Sequence, residues 1–169
     1  MRAILVLLAI AVFAFADAYD DGMAAAYRGD LQEAVRHLTR ALEQNPSNAD
    51  AYLLRGNSYK ALGDRTNAIA DFTQAIKFDP HNVESYFNRG VLYAEIGDHP
   101  KAIADYTRVI KIDPNFPEAY GGRGSSYLAL GDHKKAIEDA KKACDLSECG
   151  FMSDRELLQF LRENEQMRD

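Results

Sequence analysis

The chain repeats itself at a spacing of 34 residues, and that period constrains its fold more than any other feature. Aligned without a gap, residues 49–82 and 83–116 are identical at fifteen of 34 positions. The segment "IADFTQAIKFDP" returns as "IADYTRVIKIDP", and "LRGNSYKALGD" returns first as "NRGVLYAEIGD" and then as "GRGSSYLALGD". A period of about 20 to 50 residues belongs to stacked supersecondary units, none of which can bury its apolar face alone. No run of Val, Ile or Thr alternates as a strand would, so the units are read as helical.

Local chemistry predicts two helices per unit. Gly63-Asp64, Gly97-Asp98 and Gly131-Asp132 each end a first helix at a residue that tolerates positive φ and offer a carboxylate to cap the second; Gly29-Asp30 predicts the same turn earlier. Second helices stop at Asn45-Pro46, Asp79-Pro80 and Asp113-Pro114, because the residue before a proline is biased out of the helical region. Gly56, Gly90 and Gly124 on first helices, with Ala68, Ala102 and Ala136 on second helices, allow close approach, while Tyr59, Phe72, Tyr93 and Tyr106 fill the space beside them. Ser153 to Glu156 has capping-box spacing ahead of Leu157, Leu158, Phe160 and Leu161, which predicts a final helix sealing the last unit. The charged tail from Arg162 frays in this reading.

These residues resemble the tetratricopeptide repeat, which wants bulky residues at positions 4, 7 and 11, a small one at 8, Ala at 20 and 27, an aromatic at 24 and Pro at 32; position 7 departs, carrying Arg55, Arg89 and Arg123. Residues 49–82 supply Tyr52, Gly56, Tyr59, Ala68, Phe72, Ala75 and Pro80; residues 83–116 supply Tyr86, Gly90, Tyr93, Ala102, Tyr106 and Pro114. Residues 117–150 keep Tyr120, Gly124, Tyr127, Ala136 and Ala143 but have Ala140 for the aromatic and Glu148 for the proline. Upstream, Gly22, Ala34, Leu38, Ala41 and Pro46 fit, with Ala25 at position 11. The resemblance implies an all-α fold, a right-handed superhelical solenoid of four antiparallel helix pairs (17–48, 49–82, 83–116 and 117–150) plus a C-terminal capping helix and charged tail at 151–169.

The resemblance also implies a concave groove lined by first helices and holding a peptide or partner protein. Here that groove consists of Leu53, Asn57, Lys60, Phe87, Asn88, Val91, Gly122 and Ser125, with Glu84, Glu95, Glu118 and Gly121 at neighbouring lining positions. A subset of the family grips a C-terminal carboxylate through three cations and two amides. Asn57 and Asn88 match the amides, but Leu53, Glu118 and Gly122 stand where the cations belong, so that mode is excluded. A side-chain amide still offers a donor and an acceptor to an extended backbone. Gly121 and Gly122, costly inside a helix, are read either as drift tolerated in a degenerate end repeat or as opening the groove floor for a bulky partner side chain.

Residues 1–16 read as a signal peptide. Met1-Arg2 precede an apolar run too short to span a bilayer comfortably, which ends in the small-x-small site Ala14-Phe15-Ala16. Cleavage before Asp17 predicts a secreted or periplasmic chain without stable membrane insertion. The net charge of −6 becomes more negative once Arg2 is lost, which disfavours a nucleic-acid partner. In an exported protein the two cysteines, Cys144 and Cys149, favour a disulfide, and they can meet only if the helix stops between them.

No catalytic constellation, cofactor motif or metal-ligand spacing is found. His99 and His133 recur 34 apart after the Gly-Asp turn and read as solvated corner residues; His37 and His81 are equally bland. Arg55, Arg89 and Arg123 precede Asp71, Asp105 and Asp139 by a constant 16, which predicts a ladder of structural ion pairs. The expectation is a non-enzymatic module that binds a protein or peptide. The alternatives are a structural subunit of a larger cell-envelope assembly or a small redox protein using Cys144 and Cys149.

Overall fold

Gly29, Gly63, Gly97 and Gly131 adopt φ of 82, 80, 79 and 80° in the computed structural model, which describes residues 18–147. Each is the left-handed residue that closes a first helix. At the second of these turns the Gly63 N–H donates to the Lys60 carbonyl at 3.0 Å and the Asp64 N–H to the Tyr59 carbonyl at 2.9 Å. That paired geometry satisfies carbonyls the helix leaves without partners. The helices between these turns are α1 (18–28), α2 (Leu31–Gln44), α3 (Ala49–Ala61), α4 (Arg65–Phe78), α5 (Val83–Glu95), α6 (His99–Ile112), α7 (Pro117–Ala129) and α8 (His133–Leu146). Among the described residues every regular element is a helix, and successive helices form pairs.

Asp64, Asp98 and Asp132 cap α4, α6 and α8 as expected, each carboxylate accepting from the backbone N–H three residues on. Asp30 does not cap α2, contrary to the sequence reading. The reason is local. At the third residue of the other second helices stand Asn67, Lys101 and Lys135, whose side chains also donate to the capping carboxylate. The corresponding residue of α2 is Glu33, which repels it, while Arg28 draws Asp30 away at 3.0 Å. Two caps were not foreseen: Asn48 accepts from the Ala51 N–H at 3.0 Å and Asn82 from the Ser85 N–H at 2.8 Å.

The described residues fall into two compact units, one ending at Ser85 and the other beginning at Tyr86. In the first, α2 packs on α3 and α3 on α4. Its core joins Ala25, Ala34, Leu38, Leu42 and Ala51, with Tyr19, Tyr52 and Leu54 packed against them. Phe72 is fully buried, worth about 2 to 3 kcal/mol for a side chain of that size. Its ring leaves no room at Gly56, where a Cβ would lie 2.8 Å from Phe72 Cε1. In the second unit α6 packs on α7 and α7 on α8, around Leu92, Ala102, Tyr106, Val109, Ala119 and Ala136. Gly90 and Gly124 repeat the close approach, with Cβ positions 3.1 Å from Tyr106 Cε1 and 3.2 Å from the Ala136 carbonyl oxygen.

The arginine ladder is present and bidentate. Arg55 Nε and Nη2 donate to Asp71 at 2.7 and 2.8 Å, and the same forks join Arg89 to Asp105 and Arg123 to Asp139 at 2.8 Å. A further link escaped the sequence reading. Arg55 Nη1 donates to Thr39 on α2 at 2.9 Å, and Arg123 Nη1 to Thr107 on α6 at 3.2 Å, so each of these guanidiniums clasps the preceding second helix as well as its own. Tyr rings flank them, with Arg55 5.7 Å from the Tyr52 centroid and 5.9 Å from that of Tyr59. The Asp71 hydrogen bonds raise the Arg55 pKa against the opposing effect of burial, and Asp139 does the same for Arg123. At Arg89 burial is the largest influence, yet Asp105 more than offsets it.

Candidate interaction face

Each of α3, α5 and α7 turns one side toward its packing partners, and the predicted groove residues fall on another side that is half-buried to exposed, apart from Asn88. On α7, Ala119, Tyr120, Gly124 and Ser126 are buried, whereas Glu118 and Ser125 are exposed and Gly121 and Gly122 half-buried. Spacings of three and four put these last four on one helical face. On α5 the same register gives Phe87 and Val91, both half-buried, Asn88, which is buried, and Glu95, which is exposed. On α3 it gives Leu53, Asn57 and Lys60, all half-buried.

In the first unit Asn57 is already engaged, its Nδ2 donating to Glu84 Oε1 at 2.9 Å. In the second unit Phe87 belongs to an aromatic cluster, its centroid 5.1 Å from Phe116 and 5.9 Å from Tyr106, tilted 54° to both. Gly122 departs from the sequence reading. A Cβ there would sit 2.5 Å from Tyr106 Cζ, so the phenol tip fills the space the missing side chain leaves, and no cavity opens at that position. The residue is glycine because Tyr106 covers it. Gly121 is different, since a Cβ there would meet nothing within 4 Å. Tyr106 lies 16 residues before Gly122, the offset that also joins Thr107 to Arg123.

Burial first, then the charges of Asp105 and Glu95, push the Tyr106 hydroxyl up to about 12, so it stays protonated at neutral pH. His99 and His133 are half-buried rather than solvated, at the first positions of α6 and α8. Among the described residues no three His, Cys, Asp or Glu side chains gather as a metal site, and no helix is long and apolar enough to cross a membrane. The leader, Cys149 and the capping helix lie outside the described residues.

A family model of the tetratricopeptide repeat matches residues 53–117 and 97–148, and a second, of the TPR repeat, matches residues 22–63. The chain belongs to the tetratricopeptide repeat family. No curated protein sequence matches this TPR chain. Among solved structures it is similar to a crystal structure of MamA, with 26% identity and a TM-score of 0.78 over 88% of this chain and 87% of that one. It is also similar to YrrB, described as a TPR protein with an unusual peptide-binding site, at 23% identity and a TM-score of 0.73 over 79% of this chain and 69% of that one. The first TPR of Spaghetti (RPAP3), bound to the HSP90 peptide SRMEEVD, matches at 23% identity and a TM-score of 0.66 over 69% of this chain and 93% of that one. The fold class is therefore the all-α repeat fold these proteins share.

Proposed function

We propose that this TPR chain is a protein–protein interaction module that receives an extended peptide or partner segment on the outer stripes of its first helices, and that it has no catalytic role. One observation carries the reading. In the first unit the stripe combines half-buried Leu53 with the amide Asn57, and in the second it combines half-buried Phe87 and Val91 with exposed Glu118 and Ser125. Such a mixture suits a polypeptide ligand. The family relationship supports it, and the Spaghetti structure shows that the fold can hold a peptide. That peptide bears two Glu and a terminal Asp. In this chain Leu53, Glu118 and Gly122 replace the cations that grip carboxylate termini in one family subset, so its partner is of another kind.

The test is to isolate the partner from extract of the native source with the parent chain and with Ser125→Trp. Ser125 is exposed, so the indole obstructs the stripe without entering the core. Loss of the partner is expected; equal retention would move the binding site elsewhere.

The chain is further proposed to be exported after cleavage between Ala16 and Asp17 and to carry a Cys144–Cys149 disulfide. The apolar leader with its small-x-small site supports the first. The second is supported by the chain's having two cysteines and by the absence of a free cysteine among the described residues.

A further inference from the structure

The first helix pair departs from the arginine ladder. The offset of 16 also joins Asp21 on α1 to His37 on α2, the two positions that hold arginine and aspartate in the later pairs, but here acid and base are exchanged. The exchange loosens the contact. His37 Nδ1 stands 3.8 Å from Asp21 Oδ2, outside hydrogen-bond distance, whereas each later pair makes two bonds of 2.7 to 2.8 Å. The Asp21 side chain is 61% exposed, and an ion pair that open to solvent contributes little. The other imidazole nitrogen is engaged on α2 itself, with Nε2 3.1 Å from Arg36 Nη2 and 3.5 Å from Glu33 Oε2.

α2 is held from its other side, where Arg55 Nη1 on α3 donates to Thr39 at 2.9 Å. At the turn joining α1 to α2 the Asp30 carboxylate bonds Arg28, back on α1, and not the α2 backbone as Asp64, Asp98 and Asp132 do for their helices. α1 itself buries small residues, Ala18, Gly22 and Ala25, and its approach to α2 at Gly22 on Leu38 is apolar. We propose that α1 is a releasable strap: it undocks about the Gly29–Asp30 turn while α2 stays clasped to α3, baring Leu38, which is fully buried when the strap is closed. In a repeat chain stability is ordinarily shared by whole units, so a helix pair opens together. Here the boundary of the first cooperative unit runs between α1 and α2, because the tie that joins the two helices of every later pair is the one this pair lacks.

The experiment is hydrogen exchange of the full chain, read by mass spectrometry at neutral pH, comparing the amides of residues 22–28 in α1 with those of residues 35–44 in α2. The α1 amides are expected to exchange about tenfold faster than those of α2. Equal rates would show that the pair opens as one and overturn the proposal, with no variant needed. The double variant Asp21→Arg, His37→Asp gives the first pair the arrangement of the later ones, and it is expected to slow α1 about tenfold while leaving α2 unchanged. His37→Asp alone, which sets a second carboxylate against Asp21, is expected to quicken α1 further and α2 not at all. Circular dichroism checks that each variant folds. An α1 rate that neither variant changes overturns the proposal, as does a variant that moves α1 and α2 by the same factor; should the double variant fail to fold, the parent chain and His37→Asp still decide it.

Discussion

Gly121 and Gly122 are neighbours in α7, yet they are glycine for different reasons. Glycine inside a helix costs about 1 kcal/mol relative to alanine, so each needs a cause. Tyr106 supplies one for Gly122, since a Cβ there would overlap the phenol tip; nothing near Gly121 supplies one from packing. Gly121→Ala is therefore expected to stabilise the chain by about 0.5 to 1 kcal/mol, and Gly122→Ala to destabilise it by about 1 to 3 kcal/mol through overpacking. Gly122→Leu is expected to be worse still. Denaturant unfolding of the three variants checks the order, and a stabilising Gly122→Ala would show that Tyr106 moves aside freely. The arginine pairs were legible in the sequence, because a constant offset of 16 within one repeat is a constraint on a single helix pair. The contact of Tyr106 with Gly122 was not, because it joins one repeat's second helix to the next repeat's first helix, and no composition rule reports which side chain shades which glycine.

At the scale of the element, the Gly-Asp turn was readable because it is built almost wholly from adjacent residues. Its failure at Asp30 follows from the same locality, since Arg28 and Glu33 change what that carboxylate meets. Asp98 and Asp132 have depressed pKa values, foremost because Lys101 and Lys135 hydrogen-bond to them. A carboxylate whose folded pKa is depressed stabilises the fold above its unfolded value, about 3.9, and loses that contribution as pH falls through the folded value. The double variant Asp98→Asn, Asp132→Asn retains an acceptor at each cap but not the charge. It is expected to melt below the parent at neutral pH, and the gap is expected to close as pH falls below about 4. Thermal melts across that range decide it, and a gap that stayed constant would mean that charge is not what these caps contribute.

For the whole molecule, the 34-residue period carried the helix pairs and their order because each unit must fit its neighbours. The partner left no such mark, since residues on an outer stripe are not required to fit anything in the chain itself. The proposed export and the proposed Cys144–Cys149 bridge meet in one measurement, the intact mass of protein from its native source. The expected mass is that of a chain beginning at Asp17 and lacking two hydrogens, with alkylation only after reduction; a retained Met1, or alkylation of unreduced protein, would refute the respective half. The arginine ladder has one more consequence. Because Arg55, Arg89 and Arg123 satisfy their charges internally, the scaffold's cohesion and its outward electrostatic sign are written in separate sets of residues. Glu118 and Ser125 can then be rewritten one at a time, from acid to base or from small to large, while the helices stay in register. A chain built this way can be retargeted by drift at a few outer positions, with its architecture as a fixed chassis.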